Sequence, residues 1–245
     1  MHDTLRKARS LIAGGAALAC LAAPALAEDR EFSWSTTMTG TSDYMFRGLS
    51  LNDEDPAYQQ SIDMSYGIFY AGVWGSMVAG DYEPVELDWY AGFKPVLGPV
   101  TFDLGVVYYT YFWAEDPDEL DYVEFKVGAE FSPITNLTLK PVFWYVPEQA
   151  NSDAVYTIEG TAAYKFHDIG IFTPTLSGLI GYSEADSDGT FFGDREPTDD
   201  YTYWNVGLAL AVEKFTFDFR YWDTNIEGDG LADERFVFTT SITLP

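Results

Sequence analysis

The chain has 245 residues, with 13 Lys+Arg against 39 Asp+Glu, a formal charge of −26 and 17% aromatic residues. Such acidity excludes binding along a phosphate backbone, which needs Lys and Arg, so no nucleic acid is expected as a partner. The aromatic content excludes an acidic disordered chain.

The first segment has the layout of a secretory signal peptide. Arg6, Lys7 and Arg9 form a basic start, an apolar run follows from Leu11 to Ala23, and Ala25-Leu26-Ala27 fits a small-residue cleavage site. The run is shorter than the roughly 20 apolar residues of a spanning helix. The expectation is a cleaved signal over 1–27, export through the general secretory pathway, and one domain over 28–245. Cleavage discards Cys20, the only cysteine, so disulfides and thiol catalysis are excluded. Ala17-Leu18-Ala19 is a poor match for a lipidation signal before that cysteine. The mature chain keeps 10 Lys+Arg against 38 Asp+Glu, a formal charge of −28.

Beyond Ala27 the sequence alternates with period two, and each segment has one polar and one apolar face. About twelve strands are predicted, starting near Ser33, Tyr58, Phe69, Val85, Val100, Tyr122, Leu137, Val155, Phe172, Tyr201, Phe215 and Glu234. The first is expected to end at Arg47. The second places Asp63 on its polar face; the fourth places Glu86, Asp88 and Lys94 there, and the fifth Asp103. Glu124, Lys126 and Glu130 share the polar face of the sixth, and Lys140 lies on that of the seventh. Glu159 and Lys165 follow on the eighth, Asp218 and Arg220 on the eleventh, and Arg235 on the last. The opposite faces carry essentially no charge and hold aromatics towards their ends, as at Trp34, Trp89, Phe131, Phe166 and Phe215. Those are the girdles of a membrane barrel.

Connection length decides against a soluble sandwich. Turns such as Gly67-Ile68, Ser132 to Asn136 and Glu213-Lys214 alternate with longer acidic loops such as Gly48 to Pro56, Ala114 to Asp121 and Glu184 to Asp200. Short periplasmic turns opposite longer extracellular loops, with an even strand number, define an all-β, transmembrane, antiparallel up-and-down β-barrel of the Gram-negative outer membrane. Closure leaves no backbone edge bare in lipid. Most prolines sit in connections; Pro141 and Pro174 do not, and a bulge or shifted strand end is expected at each.

The charged residues named above are the candidate pore lining. They suit a narrow polar channel for small ions or solutes, leaning towards cations. The alternative is a non-conducting structural or adhesive barrel whose lumen is plugged by ion pairs. Bulky Tyr90, Tyr109, Tyr111, Trp113, Tyr203 and Trp222 share that lumen. Arg47 is the strongest single candidate, either lining the mouth or folding a loop inward through Asp53 or Asp55.

An enzyme is not expected. His167 is the only mature histidine and sits in a short turn, far from an outward-facing Ser/His site. Asp186-Ser187-Asp188-Gly189 opens like a calcium loop, but its twelfth position is Pro197 rather than glutamate. No metal and no cofactor is expected.

Ser42-Asp43-Tyr44-Met45-Phe46-Arg47-Gly48-Leu49-Ser50, then Asp55-Pro56-Ala57, then Phe69-Tyr70-Ala71-Gly72-Val73-Trp74-Gly75-Ser76 resemble the TorF-type porins of proteobacteria. Glu86 to Gly92 and Gly105 to Tyr109 resemble the next two blocks. The resemblance is tight from about Ser42 to Tyr111 and implies an outer-membrane barrel and a pore. It implies no substrate and no catalytic residues. Outer-membrane lipid and, during biogenesis, the barrel-assembly machinery are the partners it carries. The chain ends Thr243-Leu244-Pro245 without the terminal aromatic that this machinery reads in many barrels. A homo-oligomer is compatible with faces that are apolar throughout.

Overall fold

The computed structural model describes residues 31–79, 85–112, 121–149, 153–186, 198–227 and 230–245. Within them the alternating segments form β1 (Phe32–Thr41), β2 (Met45–Phe46), β3 (Leu49–Ser50), β4 (Ala57–Tyr66), β5 (Phe69–Met77), β6 (Val85–Phe93), β7 (Val96–Leu97) and β8 (Val100–Phe112). They continue as β9 (Tyr122–Ile134), β10 (Leu137–Val146), β11 (Val155–Lys165), β12 (Thr173–Ala185), β13 (Asp200–Val212), β14 (Phe215–Thr224) and β15 (Arg235–Leu244). Each long strand starts within one residue of its expected position.

Twelve of these strands make the wall, each antiparallel to its neighbours. β1 pairs with both β4 and β15, and β6 pairs with β8, so the sheet closes on itself. β7 only extends the turn into β8. β2 and β3 form a separate two-stranded ladder that is not part of the wall. No helix among the described residues is long and apolar enough to cross a membrane; the crossing falls to the strands.

One end of the barrel carries the short turns and the other the long loops. The turns are held by residues at positive φ: Gly67 at 60° opens the two-residue turn from β4 to β5, and Glu213 at 53° opens that from β13 to β14. A positive φ at the first central position matches the twist of paired strands. Asn136, at 67°, serves the turn from β9 to β10.

Pro141 and Pro174 behave as strand prolines must. The β9–β10 register shifts between Leu137 and Leu139, and its paired positions pass from Leu139 to Val142, stepping over Pro141. Pro174 is the second residue of β12, beyond the last pair with β11.

The two faces separate as the alternation requires. The outer wall exposes Trp34, Ile62, Trp89, Phe125, Ile158, Phe166, Ile180, Phe215 and Phe219, among others. Phe131 is only half-buried. The core lies inside, towards the loop end, where Tyr109, Tyr111, Tyr122, Tyr201, Tyr203 and Trp222 are buried, and Tyr90 extends it past the middle of β6. Trp113, the signal segment and most of the Asp186-to-Gly189 run lie outside the described residues.

Candidate functional site

The buried core is completed by a segment that belongs to no wall strand. After β1 the chain enters the barrel instead of continuing upward. Tyr44, Met45, Phe46, Leu49 and Leu51 are all buried there. Burying an apolar side chain fully is worth about 1.5–3 kcal/mol, which is what draws these residues off the rim. Arg47 is therefore not the end of the first strand, which stops at Thr41.

Arg47 and Gly48 form the tip of the β2–β3 hairpin, with φ of 48° and 87°. Two successive positive values make the type I′ turn that suits a tight hairpin. Met45 pairs with Ser50 and Phe46 with Leu49. At the base, Asp43 accepts hydrogen bonds from Ser50 Oγ at 2.7 Å and from Arg235 Nη1 at 3.0 Å. Burial pushes the Asp43 carboxyl above its ordinary range, while Ser50 and Arg235 pull it back. Arg235 also reaches Glu54 at 3.3 Å.

The tip crosses to the far wall. Arg47 Nη2 donates to Glu124 Oε1 at 2.7 Å, and its guanidinium lies 5.6 Å from the Trp144 ring. Tyr201 donates to the Arg47 carbonyl at 3.1 Å. The expected partners Asp53 and Asp55 are not used: the loop does fold inward through Arg47, but onto a carboxylate 77 residues away.

Four carboxyls cluster in the loop-end half. Glu86 accepts from Tyr44 and from Tyr111, each at 2.8 Å, and lies two residues from the buried Asp88 on β6. Glu124 accepts a second bond from Tyr109 at 2.9 Å. Glu159 accepts from Tyr203 at 2.7 Å and from the Trp144 indole at 2.9 Å. Asp88 Oδ1 is buried with no hydrogen-bond partner among the described residues.

The turn-end half holds the other candidates in a looser arrangement. Lys126, which pairs with Trp144 across β9 and β10 and lies 5.5 Å from its ring, reaches from the loop-end half to Asp103 at 2.8 Å, and Asp103 also accepts from Tyr70. Lys140 pairs with Glu130 at 2.8 Å, both partly exposed. Arg220 grips Asp218 through two bonds of 2.9 Å and also donates to Asn205 and Ser177. Asp63 accepts from Tyr90 and Ser61. Lys94 lies 4.8 Å from the Tyr70 ring, and Lys165 is exposed at the turn end. Among the described residues no carboxylate comes within 4.0 Å of either lysine.

No group of three or more His, Cys, Asp or Glu among the described residues is placed to hold a metal ion. The sequence reading missed Tyr44, Asp43 and Trp144. The available signal was an apolar Met45-Phe46 and Leu49 flanking Arg47-Gly48, too hydrophobic for a surface loop.

A family model described as a bacterial protein of unknown function, Gcw_chp, matches residues 27–242. The chain belongs to the Gcw_chp family. No curated protein matches it. Solved structures similar to this Gcw_chp barrel include the NanC porin, at 12% identity and TM-score 0.56, covering 85% of this chain and 97% of that one. The KdgM porin is similar at 8% identity and TM-score 0.58, covering 86% and 98%. KdgM in complex with disordered oligogalacturonate is similar at 8% identity and TM-score 0.57, covering 87% and 100%. At such identities the likeness is one of fold: a closed, porin-like, outer-membrane β-barrel.

Proposed function

We propose that this Gcw_chp protein is an outer-membrane channel for passive diffusion of small ions or solutes, cation-leaning and not an enzyme. One observation carries the reading. The polar face of a closed barrel holds charges of both signs around the lumen, and an inward hairpin narrows that lumen where Glu86, Asp88, Glu124 and Glu159 gather. A ring of carboxylates at a constriction favours cations over anions. The resemblance to TorF-type porins and the fold shared with NanC and KdgM support it. The candidate lining is Arg47 together with the strand charges from Asp63 to Arg235 described above. The mature chain would begin after Ala27, cross the inner membrane by the secretory pathway and be inserted by the barrel-assembly machinery.

The burial of Arg47, Glu86 and Glu124 favours a second reading, a barrel plugged by its own hairpin. Planar-bilayer recording of the refolded mature protein across a salt gradient separates them. Discrete conductance steps with a cation-selective reversal potential support the channel. A correctly folded barrel that stays silent supports the plug.

A further inference from the structure

Arg47 occupies a place whose walls are built without it. Glu124 Oε1 receives the guanidinium, while Glu124 Oε2 is held by Tyr109 from β8. Glu159 is fixed by Tyr203 from β13 and by the Trp144 indole from β10. The same indole bond orients the Trp144 ring, which presents its face to the Arg47 guanidinium. Glu159, Tyr109 and Tyr203 lie within electrostatic reach of the guanidinium. Every one of these groups sits on a wall strand. Withdrawing the hairpin would remove Arg47 and leave the carboxylates and the aromatic face in place.

The hairpin is held separately. Its only ladder is its own two residue pairs, and it adds no strand to the wall. Its fastenings to the wall include the Arg47–Glu124 pair, the Tyr44 bond to Glu86 and the Tyr201 bond to the Arg47 carbonyl. Four carboxyls, Glu86, Asp88, Glu124 and Glu159, gather where the hairpin brings Arg47; Lys126, 5.5 Å from the Trp144 ring, is already paired with Asp103 at 2.8 Å. A carboxyl buried in a low-dielectric site keeps its charge only beside a counter-charge, which Arg47 supplies to Glu124.

We infer that the Glu124–Glu159–Trp144 pocket is a binding site for a guanidinium or alkylammonium group, kept filled by Arg47 as a tethered occupant that a passing solute displaces. The inference deepens the channel reading above and rests on it for the solute that displaces Arg47; the site itself does not. A carboxylate paired with an aromatic face recognises a weakly hydrated organic cation. A small metal ion would need several converging oxygen ligands, and no group of three acidic, His or Cys side chains among the described residues supplies them.

Chemical replacement of the missing side chain is the test. The Arg47→Ala barrel is refolded and heated in guanidinium chloride or in sodium chloride at the same low ionic strength, with loss of compact electrophoretic migration as the readout. A ligand with a Kd of about 1 mM, present at about 10 mM, favours the folded state roughly tenfold. The expected result is that Arg47→Ala unfolds at a lower temperature than the natural protein, and that guanidinium restores part of the difference where sodium does not. In bilayers the same addition should lower Arg47→Ala conductance severalfold, and Arg47→Ala/Glu124→Gln should respond in neither assay. Should Arg47→Ala not refold, Arg47→Gln keeps the side-chain stem and takes its place. Equal responses to guanidinium and sodium, or a response that survives Glu124→Gln, overturn the site. A silent barrel that guanidinium still stabilises overturns the channel and keeps the site. A conducting barrel indifferent to guanidinium does the reverse.

Discussion

A Cβ added to Gly48 would stand 2.5 Å from Thr224 Cγ2 on β14 and 2.9 Å from Tyr203 Cβ on β13. The hairpin tip is thus wedged against a wall that leaves no room for a methyl group, at a φ of 87° that L-residues rarely adopt. Contact and conformation both demand glycine there, and both act on the one turn that presents Arg47 to Glu124.

Gly48→Ala should therefore unseat the hairpin without harming the wall. Left-handed backbone alone costs roughly 1–2 kcal/mol, and the clash adds to it. The expected outcome is a barrel that still folds, unfolds at a lower temperature because the hairpin side chains lose their burial, and conducts more. Trypsin should also cut it after Arg47, a bond that the seated hairpin protects. Unchanged resistance to trypsin would show that the tip tolerates the change.

Glu124→Gln keeps the shape of the far anchor and removes its charge. Leaving a buried arginine unpaired costs about 3–5 kcal/mol, since Arg47 and Glu124 expose only 9% and 1% of their side chains. The expected effects are a larger conductance, from a displaced hairpin, together with a reversal potential less favourable to cations. Bilayer recording reads both.

Lys140 supplies the contrast. It pairs with Glu130 at 2.8 Å towards the turn end, with both side chains more than a third exposed. Water-accessible pairs contribute about 0–1 kcal/mol. Lys140→Met should leave heat unfolding nearly unchanged and shift the reversal potential further towards cations. A loss of several degrees in unfolding temperature would place this pair among the structural ones.

Glu86 receives a hydroxyl from the hairpin through Tyr44 and another from the wall through Tyr111. Tyr44→Phe and Tyr111→Phe each remove one donor from a fully buried carboxyl, at about 1–3 kcal/mol. Both should lower the unfolding temperature, but only Tyr44→Phe should raise conductance, because only Tyr44 travels with the hairpin.

The outer wall makes a separate prediction. Ile180 faces outward near the middle of β12, and Phe236 faces outward at the loop end of β15. Ile180→Arg should cost about 2–4 kcal/mol in a bilayer and Phe236→Arg about 0–1 kcal/mol. Equal costs, measured by reversible unfolding in lipid vesicles, would mean that the apolar belt is misplaced along the barrel.

What the sequence determined by itself is the wall. Strand alternation is a local property: Tyr122 to Phe131 must show opposite faces whatever surrounds them, and lipid forces closure because no bare backbone edge is tolerated. Strand number, turn positions and the inward set from Asp63 to Arg235 follow from that. Pairing across the lumen does not. Lys126 with Asp103 or Arg47 with Glu124 joins residues from different strands, and which inward charges share a level depends on the stagger of a closed sheet. The hairpin lay furthest from reach. Its acidic flanks, Asp43 and Asp53 to Asp55, look like surface loop, and only the volume enclosed by the finished barrel gives Met45, Phe46 and Leu49 somewhere apolar to go. A short period-two stretch specifies a face, but the existence of an interior to receive that face is a property of the whole ring.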